Sequence, residues 1–139
     1  MALAIKLTSD FIAMTDAMAE MVKTKGIVFE NCNFMLVKVP LEDTTSIVTA
    51  SEYKQREGYK SGVGRVIATP RLTNPETDAD IKVGDYVVYS HEAKYTVNTP
   101  VINFLFGLGL KDDGKDPVIC IRDVDAIAVI SAASLTSSL

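Results

Sequence analysis

Tryptophan is absent from this 139-residue chain, histidine occurs once and cysteine twice. The lone histidine, His91, falls in a turn-like context, and no serine or cysteine has the surroundings of an activated nucleophile, so catalysis by an acid–base pair has no visible basis. Cys32 and Cys120 fit neither a disulfide framework nor a zinc spacing and read as small buried hydrophobes in strand-like surroundings. No apolar run approaches the roughly 20 residues of a bilayer span, and the opening MALAIKLTSDF lacks a charged region followed by an apolar one, so a cytoplasmic protein is expected. Lys and Arg number 14 against 18 Asp and Glu, a net charge of -4, which removes the general electrostatic reason to seek nucleic acid or an anionic membrane. There is no P-loop. The run Gly62-Val63-Gly64-Arg65 leads into a strand, not into the helix N-terminus that a dinucleotide needs. The acidic stretch from Lys111 to Asp116 lacks the alternating ligand positions of a calcium loop and reads as a solvated turn. No cofactor, no metal and no enzyme activity are expected.

Apolar residues make up 47% of the chain and charged residues 23%, enough for one domain with a real core. Residues 1–26 read as an amphipathic helical extension. Thr8 or Ser9 can cap it, Asp10 favours its N-terminal dipole, Phe11, Met14 or Thr15, Met18 and Met21 or Val22 recur at helical spacing, and Gly26 ends it. Residues 27–139 read as a β domain. Runs rich in β-branched and aromatic residues occur at 33–39, 63–69, 86–90, 93–97, 118–122 and 126–130. Turn chemistry at Asn74-Pro75, Gly84-Asp85, His91-Glu92 and Asp112 to Gly114 separates them, which points to a small, partly antiparallel barrel or sandwich.

Between the first two strands lies DTTSIVTASEYKQREGYKSGVG, residues 43–64, which is mostly polar with one apolar pair. It has too little to bury to offset the roughly 1–2 kcal/mol per residue that ordering a backbone costs, so a long mobile loop is expected. A second anomaly is the apolar insertion at 99–117, with Val101, Ile102, Phe104, Leu105, Phe106, Leu108 and Leu110. It cannot remain wholly in water without inviting association. It covers the N-terminal helix, seals a neighbouring subunit or lines a cavity.

The order of these blocks resembles the ten-kilodalton co-chaperonins, the GroES-like lids of the chaperonin cage. Asn33 to Val39 is similar to the family's opening strand, Gly64-Arg65-Val66-Ile67-Ala68 to the strand that closes its mobile loop, and Ile81 to Tyr89, with Val83-Gly84-Asp85, to its most recognisable block. Val118 to Arg122 and Asp125 to Ile130 are similar to its last strands. The resemblance implies a mainly β fold, a small GroES-like β-barrel with a long mobile loop, and a heptameric ring. It also implies that Ile47, Val48 and Thr49 bind the ATP-bound chaperonin large subunit, so that the ring encloses a substrate protein for folding. Thr45-Ser46 stands where the family has Gly-Gly, and Thr49 where it has a larger aliphatic. The extension at 1–26 and the insertion at 99–117 resemble elaborations of bacteriophage-encoded lids, which implies a viral capsid protein as substrate and the host cytoplasm as location. The alternative is a structural ring or decoration protein of a virus particle built on the same barrel.

Overall fold

A computed structural model describes residues 4–5, 8–42, 61–76, 80–111 and 116–136. In chain order the elements are β1 (Ala4–Ile5), α1 (Ser9–Lys25), β2 (Asn33–Lys38), β3 (Leu41–Glu42), β4 (Ser61–Ala68) and β5 (Tyr86–Ser90). They continue with β6 (Tyr95–Val97), α2 (Thr99–Phe106), β7 (Val118–Arg122), β8 (Ala126–Ile130) and α3 (Ala132–Thr136). β1 and β3 form a separate antiparallel ribbon. The other six strands make one sheet in the order β6-β7-β2-β4-β5-β8, every neighbouring pair antiparallel. The fold is mainly β, and the sheet is open, with edges at β6 and β8.

α1 begins where the Thr8 hydroxyl accepts from the Phe11 N–H at 3.1 Å, a cap worth about 1 kcal/mol. It ends at Gly26, left-handed at φ 66°, with the Gly26 N–H donating to Lys23 O and the Ile27 N–H to Val22 O. Those reverse bonds satisfy carbonyls that the helix end would leave orphaned. Phe11, Thr15, Met18, Ala19 and Val22 form its buried face. Met14 points outward, so the apolar stripe packs on the chain's own sheet through Thr15, which the helical period had left as an alternative to Met14.

Residues 99–106, legible in sequence only as an apolar run, form α2. The Asn98 side chain accepts from the Val101 N–H at 3.1 Å, Pro100 sits in the first turn and Gly107 closes the helix at φ 66°. Asn98-Thr-Pro is a helix-start signal, obscured in the sequence by the apolar run that follows it. The Thr99 N–H and hydroxyl both donate to Asp116 Oδ1, at 3.0 and 3.1 Å, so the two ends of the insertion are tied together.

Successive residues of β2 are buried on opposite faces of the sheet. Met35 and Val37 join Phe11, Met18, Val22, Ile67, Tyr86, Val118, Ile102 and Phe106 beneath the two helices. Phe34 and Leu36 join Val66, Val87, Tyr89, Ile119, Ile121 and Ile81 on the other face. All but Ile81 of that second cluster come from strands of the same sheet, so the face is buried because the sheet curls around it. Register shifts at Met35/Leu36 and Val88/Tyr89 add local bend. Gly64 allows the curl: a Cβ there would lie 2.7 Å from the Leu36 Cβ, closer than carbon atoms approach.

Cys32 is not in a strand. It occupies a turn at φ 60°, next to Asn31 at φ 57°, and is half-buried; Cys120 lies in β7, also half-buried. β6 begins at Tyr95 rather than at 93, because His91–Ala93 form a single 3-10 turn capped by Ser90.

Candidate partner-binding surface

β2 and β4 are adjacent and antiparallel, with Lys38 opposite Gly64 and the Val39 N–H donating to Val63 O at 2.8 Å. Beyond that bond the described chain runs out to Glu42 on one side and enters again at Ser61 on the other. The long polar segment is therefore an excursion between two neighbouring strands. Its expected end at Gly64 moves back to Ser61, because residues 61–64 pair with Val87, Val88, Tyr89 and Ser90 of β5. Ile47, Val48 and Thr49 lie outside the described residues.

The strand that receives the excursion is tied to α1 by Arg65, which is only 7% exposed. Its Nη1 donates to Thr15 Oγ1 at 2.7 Å, to Asp16 Oδ1 at 2.8 Å and to Ile12 O at 3.1 Å, while Nε donates to Gly84 O at 3.2 Å. The guanidinium carbon lies 5.7 Å from the centre of the Tyr86 ring. Gly84 needs its φ of 95° to make the tight turn, whose backbone also bonds Val66 in both directions at 2.8 Å. The Gly-Asp block picked out in the sequence thus braces β4. Arg65 itself carried no sequence signal beyond its place in a strand.

Apolar surface remains exposed in two places. β8 is an edge strand of Ala, Ile and Val, with Ile127 60% and Val129 41% exposed and no charge to discourage pairing with another strand. On α2, Phe104 is 84% exposed, although Ile102 and Phe106 of the same helix are in the core. The insertion's helix shares one core cluster with the N-terminal helix of its own subunit, and the Lys25 Nζ donates to Leu105 O at 2.6 Å, but one large aromatic is left outside.

The ionisable groups beneath this surface are quiet. Burial pushes the Cys120 thiol up to about 11 and the Tyr89 phenol up to about 12, so both are neutral near physiological pH. His91 sits edge-on to Tyr89 at 5.9 Å. Among the described residues there is no group of three His, Cys, Asp or Glu side chains placed to hold a metal ion, and no helix long and apolar enough to cross a membrane. No family model matches the chain, and no curated protein matches it.

Proposed function

We propose that the chain is a co-chaperonin lid, built on a GroES-like barrel, that caps an ATP-bound chaperonin ring and encloses a substrate protein. The observation that carries this reading is the pairing of β2 with β4, which holds the chain leading into and out of residues 40–60 in one buried sheet. A rooted tether presents Ile47, Val48 and Thr49 to an apolar groove without allowing the body to diffuse away. Full burial of Ile47 and Val48 contributes about 1.5–3 kcal/mol each, comparable to the cost of ordering a few residues, so one segment binds weakly. A heptameric ring multiplies that weak contact through effective concentration and still releases. The lid favours the chaperonin state that offers its grooves to all subunits at once, a shift of population with no bond made or broken. The added helices and the departures at Thr45, Ser46 and Thr49 favour a bacteriophage lid working in the host cytoplasm, with a capsid protein as its substrate.

The uncharged edge of β8 and the exposed Phe104 favour a second reading, in which the same body is a permanent ring or decoration component of a virus particle. One experiment separates the two. A purified chaperonin ring from the protein's own host is mixed with the chain and ATP and passed over a sizing column. Co-elution that is lost in the Ile47→Ser/Val48→Ser variant, with thermal melting unchanged, supports the lid. No co-elution with any nucleotide state overturns it.

A further inference from the structure

Where the chain leaves α1 and turns into β2, the loop at 28–31 lines a cleft of about 760 Å³ together with residues of β6 and β7. Phe29, Val28 and Tyr95 supply apolar walls, and Tyr95 is 67% exposed. Arg122 is the cation that lines the cleft. No carboxylate among the described residues pairs with it, whereas the cleft's one acid, Glu30, is held by Arg71 at 2.8 Å. The Asn31 carboxamide likewise has no hydrogen-bond partner among the described residues. Asn31 and Cys32 are both left-handed, at φ 57° and 60°, in a turn closed by the Asn33 N–H on Glu30 O at 3.2 Å and bound by the Asp123 N–H to Cys32 O at 3.2 Å. Two consecutive non-glycine residues in that region cost backbone energy that packing must hold in place. The thiol of Cys120 in the same cleft is neutral and offers an anion no repulsion.

Val28 also borders a second groove of about 380 Å³, lined by Val22, Ile27, Ile67 and Val83, of which Val83 is 43% exposed. The space on one side of Val28 is polar with Arg122 as its cation, and the space on the other is mostly apolar with Lys23 at its border, which matches a ligand with an acid at one position and aliphatic side chains further along. Together the spaces exceed what one side chain fills. An extended chain, with side chains alternating in direction about every 3.3 Å, can use both.

We propose that these two grooves form a binding site for an extended acidic–aliphatic peptide segment, its carboxylate on the Arg122 guanidinium and the Asn31 amide, and an aliphatic side chain lodged between Val22, Ile27 and Val83. The site is separate from residues 43–60 and does not depend on the lid reading. An Arg–carboxylate contact is bidentate and charge-assisted, which sets direction as well as affinity.

The test is a titration of the isotope-labelled full chain with the blocked peptide acetyl-Ser-Glu-Val-Leu-Ser-amide, followed by amide chemical shifts. The expected result is saturable shifts at Val28, Asn33, Tyr95, Arg122 and Val83. Arg122→Gln is expected to weaken binding about tenfold with an unchanged melting temperature, as is replacing the peptide's Glu by Gln. Combining the two changes is expected to cost no more than either alone, which a merely structural role for Arg122 would not produce. Shifts absent from the cleft, equal binding of the Gln peptide, or the same shifts induced by inorganic phosphate alone would each overturn the proposal.

Discussion

The guanidinium of Arg65 donates to the hydroxyl of Thr15 at 2.7 Å, joining the strand that follows the long polar segment to the N-terminal helix. Thr15 in turn donates to Phe11 O and Ile12 O, both at 3.0 Å, so its oxygen is oriented to receive that bond. Arg65→Ala leaves Asp16 without its cation and opens a void beside Tyr86. A loss of about 3 kcal/mol is expected in urea unfolding, from the four hydrogen bonds of the guanidinium and the packing of its buried stem. Asp16→Asn, on the solvent side of the network, should cost only about 1 kcal/mol. Equal effects for the two variants would mean that Arg65 does not anchor the helix.

Gly64→Ala places a methyl 2.7 Å from the Leu36 Cβ, an atom close to the backbone that cannot swing away. Overpacking of this kind costs about 1–3 kcal/mol. Leu36→Ala in the same chain should not rescue it, because the Cβ remains. Denaturation midpoints of the two single variants and the double variant check this.

Cys32 holds a left-handed position that a glycine adopts without strain. Cys32→Gly is therefore expected to raise stability by about 0.5–1 kcal/mol, despite the entropy glycine adds to the unfolded chain. Cys32→Val, with a branched Cβ at the same φ, should lower it by at least about 1 kcal/mol. Calorimetric melting of both variants decides, and a destabilised glycine variant would contradict the strain.

Burial first, and Lys94 second, hold the ammonium of Lys38 below its ordinary value of 10.5, with Asp116 acting in the opposite direction. Just below that pH the unfolded chain binds a proton that the folded chain releases, so this group makes stability rise with pH there. Lys94→Gln removes the repulsion, raises the Lys38 value and flattens the rise. Tyr89 acts the other way: its phenol stays protonated to about 12 in the folded chain, so above about pH 10 the unfolded state ionises first and stability falls. Side-chain NMR titration of Lys38, with melting temperatures taken from neutral pH to about 12, tests both signs.

The strands were readable because their chemistry is local. Asn33 to Lys38, Tyr86 to Ser90, Val118 to Arg122 and Ala126 to Ile130 are β-branched and aromatic runs between turn residues, and the structure places strands on all four. Gly26 and Thr8 announced the ends of α1 for the same reason, since caps act within one turn. α2 was obscured because its apolar composition overrode the Asn98-Thr-Pro signal. The left-handed turn at Asn31-Cys32 was obscured because a cysteine there runs against propensity and only the surrounding bonds hold it. Of the candidate site, residues 43–60 were conspicuous in composition. The cleft at Arg122 was not, since Val28, Asn31, Tyr95 and Arg122 are separated widely along the chain and meet only through the pairing of β6 and β7 with β2.

Composition and period alone therefore determined that this chain is mainly β with an amphipathic helix before its first long strand, because hydrophobic alternation, turn residues and caps are short-range properties. Which strands are neighbours, that the sheet curls without closing, that Arg65 is buried and paired while Arg122 stands open, and that Phe104 faces water beside two core residues were decided only by the tertiary structure. Those outcomes depend on which distant residues exclude water from one another, and no local stretch of sequence carries that information.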